Sequence, residues 1–278
     1  MTGLLYLLNI ACSSGQSALC KQYAKNGGNS TVFNINKALA GIVIFVIWAC
    51  IQGFSFHLPT ALMGVGYGVS LCVSMHTGFK ALKTGPMALT SIIASFSLLV
   101  PFVFGICFWN ESLTACGIGG IILLSFAMLL INWQKGGGVS FRWLAYAVIT
   151  LLTNGICSVI QKFHQIRFPS LYRTEFMIFA LLSVLLILAA ALRIKRPKKQ
   201  KFTCTASGLI SGVLNGAANY IVLLLSATEN ASVLFPIMSI GTISAVWIIG
   251  IVFFKEKLTR LQTIGLIFGG ISVILLKI

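Results

Sequence analysis

GICFWNESLT, residues 105–114, returns as GIVFFKEKLT at residues 250–259, an offset of 145. The same offset holds outward on both sides, so that Pro86 to Ile131 lies over Ala231 to Leu276 without a gap. A long apolar segment, a turn carrying one acid (Glu111, then Glu256) and a second apolar segment therefore occur twice, the mark of a duplicated membrane unit.

Hydrophobic residues make up 58% of the 278-residue chain and charged residues 9%, a balance that no water-soluble core of this length requires. A bilayer core about 30 Å thick takes roughly 20 apolar helical residues to cross. Hydropathic runs of that order fall near 3–20, 33–53, 60–79, 86–109, 112–132, 143–161, 171–192, 203–226, 231–254 and 261–277. The expected fold is thus an all-α integral membrane protein of ten transmembrane helices. It comprises a first five-helix repeat (1–133), a Gly-rich linker (134–140, with Gly136, Gly137 and Gly138) and a second repeat (141–278). Five is odd, so the second copy enters the membrane the other way up and the repeats are inverted. The first run lacks a basic leader and is interrupted by Cys12, Ser13, Ser14, Gln16 and Ser17, which suits a retained helix better than a cleaved signal.

Lys and Arg outnumber Asp and Glu by 20 to 4, yet the cations sit at helix ends, so they report topology rather than a nucleic-acid partner. Sixteen fall on one side, including the cluster Arg193, Lys195, Arg196, Lys198, Lys199 and Lys201. Only Lys162, Arg167, Arg173 and Lys277 fall on the other. The positive-inside rule places the first side in the cytoplasm and both termini outside, in a plasma (inner) membrane. Eight cysteines are scattered singly with no C-x-x-C, as packing residues would be. Trp133 and Trp143, beside the linker, read as interface anchors.

Chemistry is sparse. The four acids stand near helix ends, the three histidines (His57, His76 and His164) lie in separate segments, and no nucleophile–base constellation or metal-ligand spacing is visible. An enzyme, a metal or a cofactor is not expected. What remains is polarity at mid-helix depth, which in lipid needs a partner or a wet cavity. The repeat keeps it. Ser70 and Ser74 match Asn215 and Asn219 at the offset of 145, and Ser13, Ser17 and Lys21 match Asn154, Ser158 and Lys162 at 141. The candidate solute-binding residues are Asn215, Asn219 and Asn154, with Ser13, Ser17, Ser70, Ser74 and Ser95, and the rings of Tyr67, Tyr220 and Trp247. For the serines, a bond back to the carbonyl one turn earlier is the competing role. For Glu111 and Glu256 it is capping of a helix start.

The stretch from Ala81 to Leu113, ALKTGPMALT ending in FWNESL, and its partner from Ser226 to Leu258, ending in FFKEKL, resemble the two EamA-type repeats of the drug/metabolite transporter superfamily. The similarity extends over nearly the whole chain and rests on diffuse apolar patterns around one Glu. It implies an alternating-access transporter, working as an exporter, with a central cavity between helices 1, 3 and 4 of one half and 6, 8 and 9 of the other. The chain departs from the family habit of basic residues after helix 2 and cytoplasmic termini, since the loop Gln52 to Pro59 has no Lys or Arg. With Asn, Ser and aromatic lining and no fixed acid, the expected partner besides the lipid bilayer is a small neutral or zwitterionic metabolite such as an amino acid. The alternatives are efflux of lipophilic cations on Tyr67, Tyr220 and Trp247, or a non-transporting scaffold or lipid-head-group translocase subunit. A homodimer is one assembly open to such a chain.

Overall fold

A computed structural model of the chain describes residues 2–25, 29–84, 96–109, 114–132, 140–195, 205–254 and 260–275. Their regular structure is helical, with no strand among the described residues. In chain order the helices are α1 (Thr2–Lys25), α2 (Ser30–Gln52), α3 (Leu58–Thr84), α4 (Leu99–Trp109, preceded by a 3₁₀ turn at Phe96–Leu98), α5 (Ala115–Asn132) and α6 (Phe141–Arg167). They continue with α7 (Arg173–Lys195), α8 (Ala206–Ser226), α9 (Ala231–Phe254) and α10 (Arg260–Leu275). Every hydropathic run contains one of them. Five are long and apolar enough to cross a membrane, over Thr31–Gln52, Leu58–Gly78, Phe141–Arg167, Arg173–Ala191 and Ala206–Ser226. This is the character of a multi-pass membrane protein. The described parts of α4, α5, α9 and α10 give shorter apolar helices, and α1 is diluted by Asn9, Ser13, Ser14, Gln16 and Ser17. The turns at Glu111 and Glu256, the linker, Trp133, Ser95 and the cluster from Arg196 to Lys201 lie outside the described residues.

Local chemistry sets the helix starts. The Asn29 side chain accepts from the Thr31 and Val32 N–H groups (2.8 and 3.3 Å) to open α2, and Gly53, at φ 90°, ends it in a conformation closed to most side chains. The Thr114 hydroxyl accepts from Gly117 N–H at the start of α5, and that of Ser140 from Trp143 N–H at the start of α6.

The chain packs as two compact units: Met1–Cys72 with Phe163–Ala227, and Val73–Lys162 with Thr228–Ile278. Each draws on both sequence repeats, and α3 and α6 give their two ends to different units.

In the first unit α8 packs on α1 and on α2, and α2 also packs on α7. Two of its seams are closed by glycine pairs four residues apart. On α3, Gly64 and Gly68 bring the helix against Phe176, Phe179, Ala180 and Ser183 of α7. On α8, Gly208 and Gly212 bring it against Phe33, Asn36, Lys37 and Ala40 of α2. In the second unit α5 runs along α10, and α4 lies on α9. There the first part of α6 meets the second part of α3. Trp143 is only 2% exposed, packed with Ala81, Ala147 and Tyr146, so it is a core residue and not the interface anchor that its position beside the linker suggested. The surfaces that remain open are apolar, as at Leu7, Ile47, Ile51 and Leu62 of the first unit and Ile122 and Val252 of the second. Such faces suit hydrocarbon rather than water.

Candidate functional site

In the first unit α3 and α8 meet through a polar pair. The Tyr67 hydroxyl donates to Asn219 Oδ1 (2.8 Å), and Asn219 Nδ2 donates to the Asn215 carbonyl one turn back (2.9 Å). Both acceptor and donor atoms of the Asn219 amide are thereby oriented. Tyr67 is buried, its ring edge-on to Phe176 at 5.6 Å. Nearby on α8, the Ala218 carbonyl accepts from Asn9 Nδ2 of α1 (2.7 Å), and Asn9 Oδ1 accepts from Ser13 (3.4 Å). Ser17 and Ser70 bond back to the carbonyls of Ser13 and Gly66, the local role that competes with solute contact.

In the second unit Ser74 Oγ donates to Asn154 Oδ1 (2.5 Å), and one turn further the Thr77 and Thr150 hydroxyls meet at 2.8 Å. Ser158 leans back on the Asn154 carbonyl, and Lys162 Nζ donates to the Glu229 carbonyl. Trp247 lies in α9, its side chain outside the described set.

The candidate residues thus form two local pairs, Tyr67 with Asn219 and Ser74 with Asn154. Tyr220 joins neither. Its ring packs on Phe45 at 5.9 Å in an apolar groove of about 240 Å³ between α2 and α8, which Gly41, Trp48, Val213 and Gly216 also line. Adjacent helical positions point about 100° apart, so Asn219 and Tyr220 address different faces of α8.

A third polar group gathers where α3 begins, α6 ends and α7 begins. Arg173 Nε donates to Gln165 Oε1 (2.7 Å), Gln165 Nε2 meets His164 Nδ1 (2.9 Å), His164 Nε2 meets Thr60 Oγ1 (3.1 Å), and Thr60 Oγ1 meets His57 Nδ1 (2.9 Å). His164 and Thr60 are fully buried, and Gln165 is nearly so. The His57 ring lies flat on Tyr172 (4.4 Å, 5° between planes) and edge-on to Phe168 (4.6 Å). Tyr172, at φ 52°, and Ser170, at φ 62°, hold left-handed backbone that costs a side-chain-bearing residue about 1–2 kcal/mol. Glu175, in the first turn of α7, accepts from Ser55 N–H (3.3 Å). His164 also packs on Phe176 at 4.8 Å, so an aromatic contact line joins this group to Tyr67 and Asn219.

No family model matches the chain. An uncharacterized protein of Haemophilus influenzae (strain Rd) is 24% identical over 207 residues, which are 68% of this chain and 66% of that protein, so the match spans just under two thirds of the relative's length. A solved crystal structure superposes over 99% of this chain and 95% of its own, with a TM-score of 0.81 and 14% identity. At that identity the likeness is one of fold.

Sequence reading passed over two of these features. Asn9 was hidden because α1 is polar in several places and only the repeat-matched serines stood out. The His57–His164 group was hidden because its members are more than 100 residues apart and lie at helix ends. The available signal was local: polar residues on both sides of a short turn, QKFHQIR at 161–167 and RTE at 173–175, opposite HLPT at 57–60.

Proposed function

We propose that this chain is an alternating-access membrane transporter, an exporter, for a small neutral or zwitterionic metabolite such as an amino acid. The observation that carries the reading is the pairing of Tyr67 with Asn219 and of Ser74 with Asn154 within apolar helices. Ser74 and Asn219 are equivalent positions of the sequence repeat, so polarity that lipid penalises has been kept twice. Amide and hydroxyl groups without a fixed charge suit a solute that carries both donors and acceptors and no net charge.

Two further observations support the ten-helix inverted-repeat architecture behind this mechanism. The runs predicted by hydropathy each contain a helix. The seams α3–α7 and α8–α2, which the repeat would exchange, both close on glycines four residues apart, Gly64 with Gly68 and Gly208 with Gly212. Efflux of lipophilic cations has weaker support, since Tyr67 is engaged with Asn219 and Tyr220 faces a separate groove.

The test is thermal stabilisation of the purified protein by a panel of amino acids, sugars, nucleosides and quaternary amines. Amino acids should raise the melting temperature of the wild type and lose that effect in Asn219→Ala, and proteoliposomes should move the same solutes. Stabilisation by quaternary amines alone would favour the cation reading. Silence of the whole panel, with Asn215→Ala and Asn219→Ala behaving as wild type, would favour the scaffold or translocase subunit.

A further inference from the structure

The direction of every hydrogen bond in the group around His57 follows from its first member. A guanidinium only donates, so the atom facing Arg173 Nε must be the oxygen of Gln165, which turns the Gln165 amide nitrogen toward His164 Nδ1. An amide nitrogen has no acceptor lone pair, so His164 Nδ1 accepts and its proton sits on Nε2. Nε2 then donates to Thr60 Oγ1. The buried Thr60 hydroxyl has one proton of its own, and the acceptor it meets is His57 Nδ1. Were that proton aimed elsewhere it would be buried without a partner, which folding avoids. His57 is therefore a neutral imidazole whose remaining proton is on Nε2. The relay is one-way, from Arg173 through Gln165, His164 and Thr60 to His57.

The far end of the relay is available. His57 is half-buried, and its Nε2 has no hydrogen-bond partner among the described residues. Its ring plane is set by the Tyr172 stack and the Phe168 edge. A histidine whose tautomer and orientation are fixed from behind is how a protein presents one ring nitrogen to something else. Hydrogen bonds in series polarise one another, and this series begins at a cation, so the terminal N–H is a stronger donor than that of a free imidazole. The acceptor that gains most is an anionic oxygen.

We propose that His57 is a ligand-binding residue whose Nε2–H, fixed by the Arg173–Gln165–His164–Thr60 relay, donates to a carboxylate oxygen of the solute. The inference rests on the transporter reading above for the identity of the solute, a zwitterion with a free carboxylate, but not for the geometry of the site. Glu175, the carboxylate beside this group, accepts from Ser55 N–H, so the two acids would not compete for one donor.

The chain has three histidines, so full-length protein labelled with ¹⁵N-histidine in detergent micelles gives three rings to assign with single His→Gln variants. Two-bond proton–nitrogen correlations should show His57 and His164 both protonated on Nε2 alone. Gln165→Leu or Thr60→Val should let His57 fall into a mixture of tautomers. Acetate and glycine, added to the wild type, should move the His57 Nε2 resonance, and methylamine should not. His57→Phe keeps a ring on Tyr172 and should weaken glycine binding by about tenfold or more, the loss expected for one charge-assisted hydrogen bond. The proposal is overturned if wild-type His57 carries its proton on Nδ1, or if neither acetate nor glycine moves its resonance. Loss of the glycine effect in Asn219→Ala with a motionless His57 resonance would leave the transporter reading standing and remove this one. A His57 response to acetate and glycine without transport of any amino acid would do the reverse.

Discussion

Gly68 carries more of the first unit than its missing side chain suggests. A Cβ there would collide with Ser183 Oγ and sit 2.5 Å from the Ala180 carbonyl oxygen, and a Cβ on Gly212 would overlap the Lys37 carbonyl oxygen and lie 2.8 Å from Ala40 Cβ. Backbone cannot rotate aside as a side chain can, so Gly68→Ala and Gly212→Ala should each destabilise the protein by about 1–3 kcal/mol, the usual toll of overpacking. Gly119→Ala meets nothing within 4 Å and should leave the melting temperature unchanged in the same detergent. Gly269→Ala should fall between them, because the atoms it meets, Cδ1 and Cγ1 of Ile240, belong to a side chain and not to backbone. A gain in stability at all four glycines would mean that helix propensity, in which Ala exceeds Gly by about 1 kcal/mol, and not close approach, governs these positions. Which helix each of these glycines faces is not legible from sequence, because a small residue has no partner-specific chemistry.

At the scale of elements, α6 shows where hydropathy stops being informative. The apolar run ends at 161, yet the helix continues to Arg167, and the extra turn carries Lys162, His164, Gln165 and Arg167. Water exposure would be the default for such residues. Here tertiary partners replace water, since Thr60 and Arg173 come from two other helices to meet His164 and Gln165. The helix positions were legible because the length of an apolar run is a local property, whereas the polar pairings were not, because they depend on which helices become neighbours. The Ser74–Asn154 bond, joining α3 to α6, gives this a number. In a double-mutant cycle of Ser74→Ala and Asn154→Leu, the coupling should be about 0.6 kcal/mol and under about 2 kcal/mol, as for interhelical hydrogen bonds in lipid. Both singles and the double would be read by unfolding in micelles. A coupling indistinguishable from zero would mean that the two side chains are better placed to face a solute than each other. For Tyr67→Phe the corresponding loss, of the bond to Asn219, should be of similar size.

For the whole molecule, charge bears on which way up it sits. The charge count of 16 to 4 and the resemblance to EamA-type transporters disagree, and the two predict opposite faces for the same loops. Each basic residue within a short loop resists translocation, and six cations gather at the end of α7 and just beyond it while the segment Gln52 to Pro59 carries no Lys or Arg, so charge alone predicts a cytoplasmic end for α7. The first unit adds a constraint of its own. His57, in the turn between α2 and α3, stacks on Tyr172, in the turn between α6 and α7, so those two turns share one end of that unit. Neither turn belongs to the strongly basic set. Single-cysteine variants on a cysteine-free background should therefore split by side. Lys201→Cys should react with a membrane-impermeant maleimide only after the cells are opened. Ser55→Cys, whose backbone N–H can still bond Glu175, should react on intact cells. Reaction of Lys201→Cys on intact cells, with Ser55→Cys protected, would invert the molecule and turn the His57 donor toward the cytoplasm. Under the proposed export, a solute carboxylate would then meet His57 before crossing rather than after it, so the same pair of labels also decides whether that donor would capture solute or release it.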